Sequence, residues 1–483
     1  MAERVAVTDG LNWPRLGEEC GVVGIWGHPD APRMCLWALY ALQHRGQESA
    51  GMAVSDGVRI RYHRGMGLVA EVFPRGVPEQ LRGQAAVGHV RYSTMGASVL
   101  SNAQPLFIRF RHGDLALAHN GNLVNAPHVR QQLEDAGSIF QTTLDTEVVA
   151  HLVARYCARG DELPEALSRA MRELRGGYAL LMMTPTSLIG ARDPHGIRPL
   201  SLGRLEEGWV MASETCAFDA IGATFEREVE PGEIVVISHE GLRTLRGQEP
   251  MQPALCIFEF IYFARPDSNL RGMNVHAVRK ELGRQLAREH PADADLVTGV
   301  PDSSISAASG YAEEAGLAYE MGLVKNRYVG RTFIQPDQQT RDLGVRLKLN
   351  ALRKVVEGKR VVMVDDSIVR GTTSSYIVRL LREAGAREVH LRISSPPYRY
   401  SCFYGIDTSA RAELIAARSS VEEIRKQVGA DSLGYLSIDG LLKAVRGTRQ
   451  EYCLACFTGE YPVPIPQGLG KASLEEVRGY QGD

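Results

Sequence analysis

Apolar and polar residues alternate in short runs through the first half of the chain. The alternation predicts β-strands at 21–26, 51–54, 86–90, 115–118, 178–183, 187–192 and 233–238. Stretches with helical spacing at 34–43, 146–159 and 163–174 interrupt them, a mixture that predicts stacked sheets covered by helices. The polar, proline-punctuated segment Gly247-Gln-Glu-Pro-Met-Gln-Pro253 reads as a linker. Beyond it the pattern becomes strand, helix, strand: 296–300 precedes a helix at 305–315, and 360–364 precedes one at 374–384, with a strand at 389–394. That order predicts a parallel sheet with right-handed crossovers. Helices at 419–428 and 438–445, then the proline-rich 461–467 and a polar tail, complete the chain, which has no internal repeat.

Composition narrows the function classes. The 483 residues suggest two or three domains at ~150 residues each. A formal net charge of −2 leaves no electrostatic footprint for nucleic acid or a membrane surface, and no apolar run is long enough to span a bilayer. Residues 1–19 carry Glu3, Asp9 and Glu18 and lack an apolar core, so they suit neither a secretory signal nor a transit peptide. The expected location is cytoplasmic, where the eight cysteines are thiols, ligands or nucleophiles rather than disulfides.

The densest chemistry lies in Arg360-Val-Val-Met-Val-Asp-Asp-Ser-Ile-Val-Arg-Gly-Thr-Thr-Ser374. An apolar strand delivers Asp365 and Asp366 to its carboxyl end, where open α/β sheets bind ligands. The next helix would begin with free N–H groups that attract phosphate. Two carboxylates beside such a cradle suit a sugar phosphate carrying Mg²⁺, because the metal offsets like charge. The string resembles the phosphoribosyl pyrophosphate (PRPP) loop of type I phosphoribosyltransferases. The resemblance implies PRPP contacts from Asp365, Asp366, Ser367, Arg370, Gly371, Thr372 and Thr373, and Mg²⁺ contacts from Asp365, Asp366 and Ser303. Ser303 is equally placed as a helix N-cap. The basic, glycine- and glutamine-rich stretch from Val324 to Asn350 looks like the family's closing loop, with Lys325, Arg331 and Lys348 facing pyrophosphate.

Near the start, Glu18-Glu-Cys20-Gly-Val-Val-Gly-Ile-Trp-Gly27 puts a cysteine at the head of a strand, which alone would suggest a buried thiol. Four further segments follow: His44-Arg-Gly-Gln-Glu-Ser49, His89-Val-Arg-Tyr-Ser-Thr94, His119-Asn-Gly-Asn-Leu123 and Leu144-Asp-Thr-Glu147. In order and spacing the set resembles the glutaminase domain of N-terminal-nucleophile amidotransferases. The resemblance implies that residues 1–19 are a propeptide and that Cys20 is the nucleophile. The α-amine freed by cleavage, with a pKa of about 7.7–8.0, would serve as its base. Asn120 and the Gly121 N–H would form the oxyanion hole, while Arg91 and Asp145 would take the α-carboxylate and α-ammonium of glutamine.

Cys256, Cys402 and the pair Cys453-Leu-Ala-Cys456 remain. Four thiolates make either a structural zinc site or a [4Fe–4S] cluster, and spacing does not separate the two. Their contexts resemble the iron–sulfur branch of the glutamine PRPP amidotransferases, which implies a [4Fe–4S] cluster without redox turnover that ties the chain's end to its body. Cys35, Cys157 and Cys216 read as core.

The resemblance therefore implies an αββα glutaminase domain at 20–247, a type I phosphoribosyltransferase α/β domain with the iron–sulfur site at 254–457, and a tail at 458–483. It implies formation of 5-phosphoribosylamine, glutamate and pyrophosphate from glutamine, PRPP and water at the committing step of purine synthesis. Ammonia would pass internally between the sites, in a homotetramer under purine-nucleotide feedback. Two rivals are another amidotransferase of this glutaminase class and a PRPP-sensing regulator. The loop at 364–372 fits neither a sugar-isomerase nor an ATP-pyrophosphatase domain, and the intact Cys20, Arg91, Asn120 and Asp145 set argues against a regulator.

Overall fold

The computed structural model describes residues 20–75, 80–93, 96–326, 349–406 and 411–466, with Gly468 and Leu474. The expected propeptide therefore lies outside the described residues, as do Arg331 and Lys348 of the basic loop and most of the tail.

The first half forms two antiparallel sheets stacked face to face. In order across the first, the seven strands are Thr224–Glu228, Ser201–Arg204, Trp209–Ala212, Gly21–Trp26, Ala85–Arg91, Ser49–Ser55 and Ile60–Met66. The six of the second are Gly241–Arg246, Glu233–Ser238, Ser187–Arg192, Gly176–Met183, Gly113–Leu123 and Leu106–Phe110. Val22, Val87, Ala118, Leu181 and Leu188 fill the layer between the sheets. Cys35 and Leu39 of helix Ala31–Ala41 cover one outer face, and Leu152, Leu167 and Met171 of Asp145–Cys157 and Leu163–Glu173 cover the other. Helix, sheet, sheet, helix is the expected αββα order.

After the last strand ends at Arg246, residues 247–254 carry no helix or strand and lie along the first half, with Met251 N donating to Pro194 O and Ala254 N to His195 O. The second half holds an all-parallel sheet: Ala318–Tyr319, Leu296–Gly299, Arg360–Asp365, Glu388–Ile393 and Ser432–Tyr435. Helix Val275–Glu289, N-capped by Asn274, crosses Ile305–Ala315 so closely that a Cβ on Gly283 would stand 1.8 Å from Ala307 O. Among the described residues, no helix is long and apolar enough to cross a membrane.

Three differences from the sequence reading bear on the site. The strand expected at 115–118 runs from Gly113 to Leu123, so Asn120 and Gly121 are strand residues. The helix expected from 374 starts at Thr372, because Gly371 turns into it with φ +82°. Helix Val275–Glu289 was not expected; its polar, basic face hides the apolar stripe of Val275, Val278, Leu282 and Leu286.

A buried charge cluster joins the halves. Arg45, fully buried, donates to Glu214 Oε1 at 2.6 Å and to both Glu259 oxygens at 2.9 and 2.8 Å. Its Nε also donates to Cys20 O at 3.0 Å. Glu214 in turn accepts from Arg265 N at 2.8 Å and Ser268 Oγ at 2.7 Å, both in the second half. Burial would raise the Glu214 carboxyl, but His44, Arg45 and these hydrogen bonds hold it well below the usual carboxylate range. Removing one member leaves an uncompensated buried charge. We therefore expect Glu259→Ala to lose about 3–5 kcal/mol of stability, read as a lower urea midpoint, with Glu259→Gln losing less.

Candidate functional site

Cys20 precedes strand Gly21–Trp26, which pairs with Ala85–Arg91 in a register that sets Gly21 against Val90. Arg91 is thereby brought beside the thiol. The Cys20 Sγ–H donates to Tyr92 O at 3.3 Å. Burial pushes the thiol up to about 11, against the pull of the Arg91 charge and the Tyr92 bond. Such a thiol needs a base to attack anything near neutral pH.

Arg91 is buried and donates to Ala97 O at 3.2 Å and Gly96 O at 3.3 Å, holding a loop that a ligand carboxylate would reach. Asp145 opens helix Asp145–Cys157, and its Oδ2 accepts from Leu123 N at 3.0 Å. Burial would raise its carboxyl, but the His119 imidazole, 3.4 Å away, and bonds from Leu123 and Thr146 keep it low. Asn120 Nδ2 lies 3.3 Å from Ser213 Oγ, while its buried Oδ1 has no hydrogen-bond partner among the described residues. Gly121 has φ +136°, and a Cβ there would meet Gly177 O at 2.0 Å, so only glycine fits. The structure thus gathers Cys20, Arg91 and Asp145 around one buried point and sets Asn120 and Gly121 on the facing sheet.

In the second half, Asp365 ends its strand, and both Asp365 and Asp366 are buried. Hydroxyls crowd them: Ser303 Oγ donates to Asp366 Oδ2 at 2.5 Å, Ser367 Oγ to Asp366 Oδ1 at 2.6 Å and Ser304 Oγ to Asp365 Oδ1 at 3.1 Å. Asp365, Asp366 and Ser367 line a pocket with Val300, Gly371, Thr373 and Tyr262. Helix Thr372–Glu383 points its uncapped N-terminus at this pocket, and the buried Thr373 Oγ1 has no hydrogen-bond partner among the described residues. That is an anion cradle beside a hard-oxygen donor set. The two described cations assigned to it are already engaged, Arg370 with Glu413 at 2.5 Å and Lys325 with Asp302 at 2.9 Å.

The four cysteines come together where the chain's end docks. Strand Leu255–Cys256 pairs parallel with Tyr452–Cys453, setting Cys256 opposite Cys453. Cys256, Cys453 and Cys456 belong to one buried cluster with Cys402 packed against it, and burial raises the Cys456 thiol well above its usual value, the charges of the other three adding to the shift. No disulfide links any of the eight cysteines. Among the described residues, no group of three or more His, Cys, Asp or Glu side chains is gathered into a single-ion cage. A four-iron cluster gives each thiolate its own iron, and Mg²⁺ takes one or two carboxylates plus phosphate, so neither group needs such a cage.

Sequence reasoning assigned no role to Arg45, Ser213, Glu214, Arg198, Glu259 or Tyr262. Charged residues are ordinarily read as surface; Arg45 stood inside His44-Arg-Gly-Gln-Glu-Ser49, and Glu259 and Tyr262 inside the family context Cys256-Ile-Phe-Glu-Phe-Ile-Tyr-Phe-Ala-Arg-Pro-Asp267, with no role of their own. Tyr262 lies three residues past Glu259, in the single wide helical turn Glu259–Phe263, and so ties the charge cluster to the acidic pocket.

Comparison with known proteins agrees with both pockets. The family described as "Glutamine amidotransferase domain" matches residues 89–220, and "Phosphoribosyl transferase domain" matches 270–394. The chain is 57% identical over 467 residues to the amidophosphoribosyltransferase of Bacillus subtilis, covering 96% of this chain and 98% of that one. It is 52% identical to that of Archaeoglobus fulgidus, covering 92% and 98%. The solved structure of glutamine PRPP amidotransferase from B. subtilis complexed with ADP and GMP superimposes with a TM-score of 0.90 at 56% identity, over 94% of this chain and 100% of that one. A structure described as the allosteric regulatory enzyme of purine biosynthesis gives 0.91 at 55% identity, over 95% and 99%.

One titration is testable at the thiol site. His89 is buried, two residues from Arg91, and its Nε2–H donates to His119 O at 3.0 Å. Burial, the Arg91 charge and His119 lower its pKa from 6.5 to about 3, against the raising effect of the His119 carbonyl bond. The folded chain keeps it neutral while the unfolded chain protonates below 6.5. Stability should therefore fall as pH drops through 6.5 toward 3, by about 1.4 kcal/mol per pH unit from this group. In His89→Asn the slope of unfolding free energy against pH should be smaller, by an amount approaching this below about pH 5.5, the carboxyl contributions being common to both proteins.

Proposed function

The chain belongs to the amidophosphoribosyltransferase family, and on that premise we propose how its own residues divide the reaction. The enzyme transfers the amide nitrogen of glutamine to PRPP in purine biosynthesis, as a glycosyltransferase with glutamine amidohydrolase activity.

In our reading residues 1–19 leave as a propeptide, and the α-amine of Cys20 takes the proton from its own thiol. The sulfur attacks the side-chain amide of glutamine. Arg91 exchanges its two carbonyl acceptors for the substrate carboxylate, and Asp145 receives the ammonium. Asn120 and the Gly121 N–H take the oxyanion. The adduct collapses to a glutamyl thioester as the C–N bond breaks and the α-ammonium gives its proton to the departing nitrogen; water then hydrolyses the thioester to glutamate, and the ammonia crosses to the ribose C1 inside the protein, because in water it would be captured as ammonium. At the acceptor, the N-terminus of Thr372–Glu383, the Thr373 hydroxyl and Ser367 hold phosphate oxygens. Arg370 and Lys325 swap Glu413 and Asp302 for pyrophosphate; Arg331 and Lys348 belong to the same assignment. Mg²⁺, held by Asp365 and Asp366 with Ser303, would offset the charge of the departing pyrophosphate. Cys256, Cys402, Cys453 and Cys456 would hold a [4Fe–4S] cluster, whose service is structural.

One observation carries this reading. A single buried path runs from Cys20 O through the Arg45 guanidinium to Glu259, and Tyr262, three residues on, lines the acidic pocket. This path supports reading the two pockets as parts of one device. The reading also includes a cytoplasmic homotetramer and purine-nucleotide feedback; the B. subtilis relative is described with ADP and GMP bound.

Glutamate and pyrophosphate should appear together, and glutamate release should depend strongly on PRPP and Mg²⁺; release indifferent to PRPP would count against the coupled mechanism. Cys20→Ala should cut glutamine-dependent pyrophosphate release to below about one thousandth while ammonia-dependent release persists. Asp366→Asn should lower both by roughly 100-fold.

A further inference from the structure

A loop of the second half lies directly beneath the thiol site, and the chemistry of the two pockets leaves it without a role. Gly405 sits so close to Gly121 that a Cβ on it would stand 3.1 Å from Gly121 Cα and 2.9 Å from Arg198 Nη2. The neighbouring Tyr404 packs on Gly177, which is paired with Asn122 across the sheet. Hydrogen bonds fasten the loop to the first half. Asn122 Nδ2 donates to Phe403 O at 2.8 Å, and Arg198 donates to Tyr404 O from Nε at 2.8 Å and Nη2 at 2.6 Å.

From below, the Tyr404 hydroxyl donates to Val463 O at 2.6 Å and accepts from Val463 N at 3.0 Å. Tyr404 N also donates to Cys402 Sγ at 3.4 Å. The loop is therefore held between the cysteine quartet on one side and the Asn120-Gly121-Asn122 strand on the other.

We propose that Gly405 is a positioning residue for glutamine cleavage: its backbone, seated on Gly121, fixes the peptide whose N–H receives the oxyanion, and Cys402 anchors that seat from behind. The inference rests on the assignment of Cys20 as nucleophile and Gly121 as oxyanion donor. Its physical basis is a constraint of space. Gly121, at φ +136°, is held in register opposite Tyr178 on one edge and has Gly405 against its Cα on the other. No side chain intervenes to absorb a displacement, so a shift of the loop is passed to the peptide itself. A misplacement of about 1 Å at such a donor lowers the rate on the order of 100-fold.

The test uses mature, full-length, cluster-containing enzyme carrying Gly405→Ala. Glutamine-dependent kcat should fall at least about 10-fold, with the glutamine KM and ammonia-dependent synthesis each changed less than about twofold and iron content unchanged. A binding measurement separates positioning from folding. Glutamate γ-semialdehyde forms a thiohemiacetal with Cys20, through a new S–C bond that turns its carbonyl oxygen into the occupant of the oxyanion hole. Its affinity should fall by about the same factor as kcat while glutamate binding holds. Parallel loss of both activities, or an unchanged glutamine-dependent rate, would overturn the proposal. Asn122→Ala, which removes one loop hydrogen bond without crowding, should shift the same readouts in the same sense by less, and serves if Gly405→Ala does not accumulate. Cys20→Ala is measured alongside: should it keep glutamine-dependent activity, the nucleophile assignment fails and takes the positioning role with it. Should it lose that activity while both loop variants keep it, the positioning role alone fails.

Discussion

A guanidinium shut away from water must be neutralised on the spot, and Arg45 is neutralised from both halves of the chain, by Glu214 on one side and Glu259 on the other. Arg198, also in the first half and buried, lies 3.8 Å from Glu259, so the first half alone would bury two guanidiniums against Glu214 and the second would leave Glu259 bare. The cluster therefore fixes how the halves meet more sharply than apolar packing would, since hydrophobic contact has no direction while bidentate hydrogen bonds do. Because the same guanidinium also holds Cys20 O, the backbone of Cys20 is positioned by the interface rather than by its own sheet alone.

The acidic pocket shows the opposite economy. Most of the hydroxyls around it are satisfied internally, Ser303, Ser304 and Ser367 bonding the two aspartates with Thr373 Oγ1 the exception among the described residues, and Arg370 and Lys325 nearby rest on carboxylates. An incoming polyanion must displace these partners, so the pocket discriminates by the number of charges a ligand brings. A ligand with one phosphate gains little from breaking two ion pairs; one that brings a pyrophosphate as well gains at each.

The local elements were legible because they are written locally. The strand ending in Asp365-Asp366 and the strand after Cys20 were predicted within a residue or two of their observed bounds. Strand Gly113–Leu123 was cut short in prediction because Asn120-Gly121-Asn122 breaks apolar alternation at the point where function demands polar residues and a positive φ. The edge strands Thr224–Glu228 and Gly241–Arg246 escaped because neither buries a face and both mix charged, polar and apolar residues without apolar alternation. What sequence could not show was pairing across distance. Arg45 and Glu259 are separated by 214 positions, and only the folded chain reveals that each is the other's counter-ion. The cysteines were the exception, since their family contexts named all four before the strand register brought Cys256 to Cys453.

That register also sets a timetable. The strand that completes the pairing of Leu255–Cys256, and the Val463 that clasps Tyr404, emerge from the ribosome after the strands of both halves. An αββα unit of this kind can begin to fold during synthesis, long before the chain is finished. Yet the surface beneath Gly121 stays open until residues beyond 450 arrive to hold the loop in place. A nascent or truncated chain would then own the thiol without its backing, and could not spend the cell's glutamine before it had somewhere to send the nitrogen.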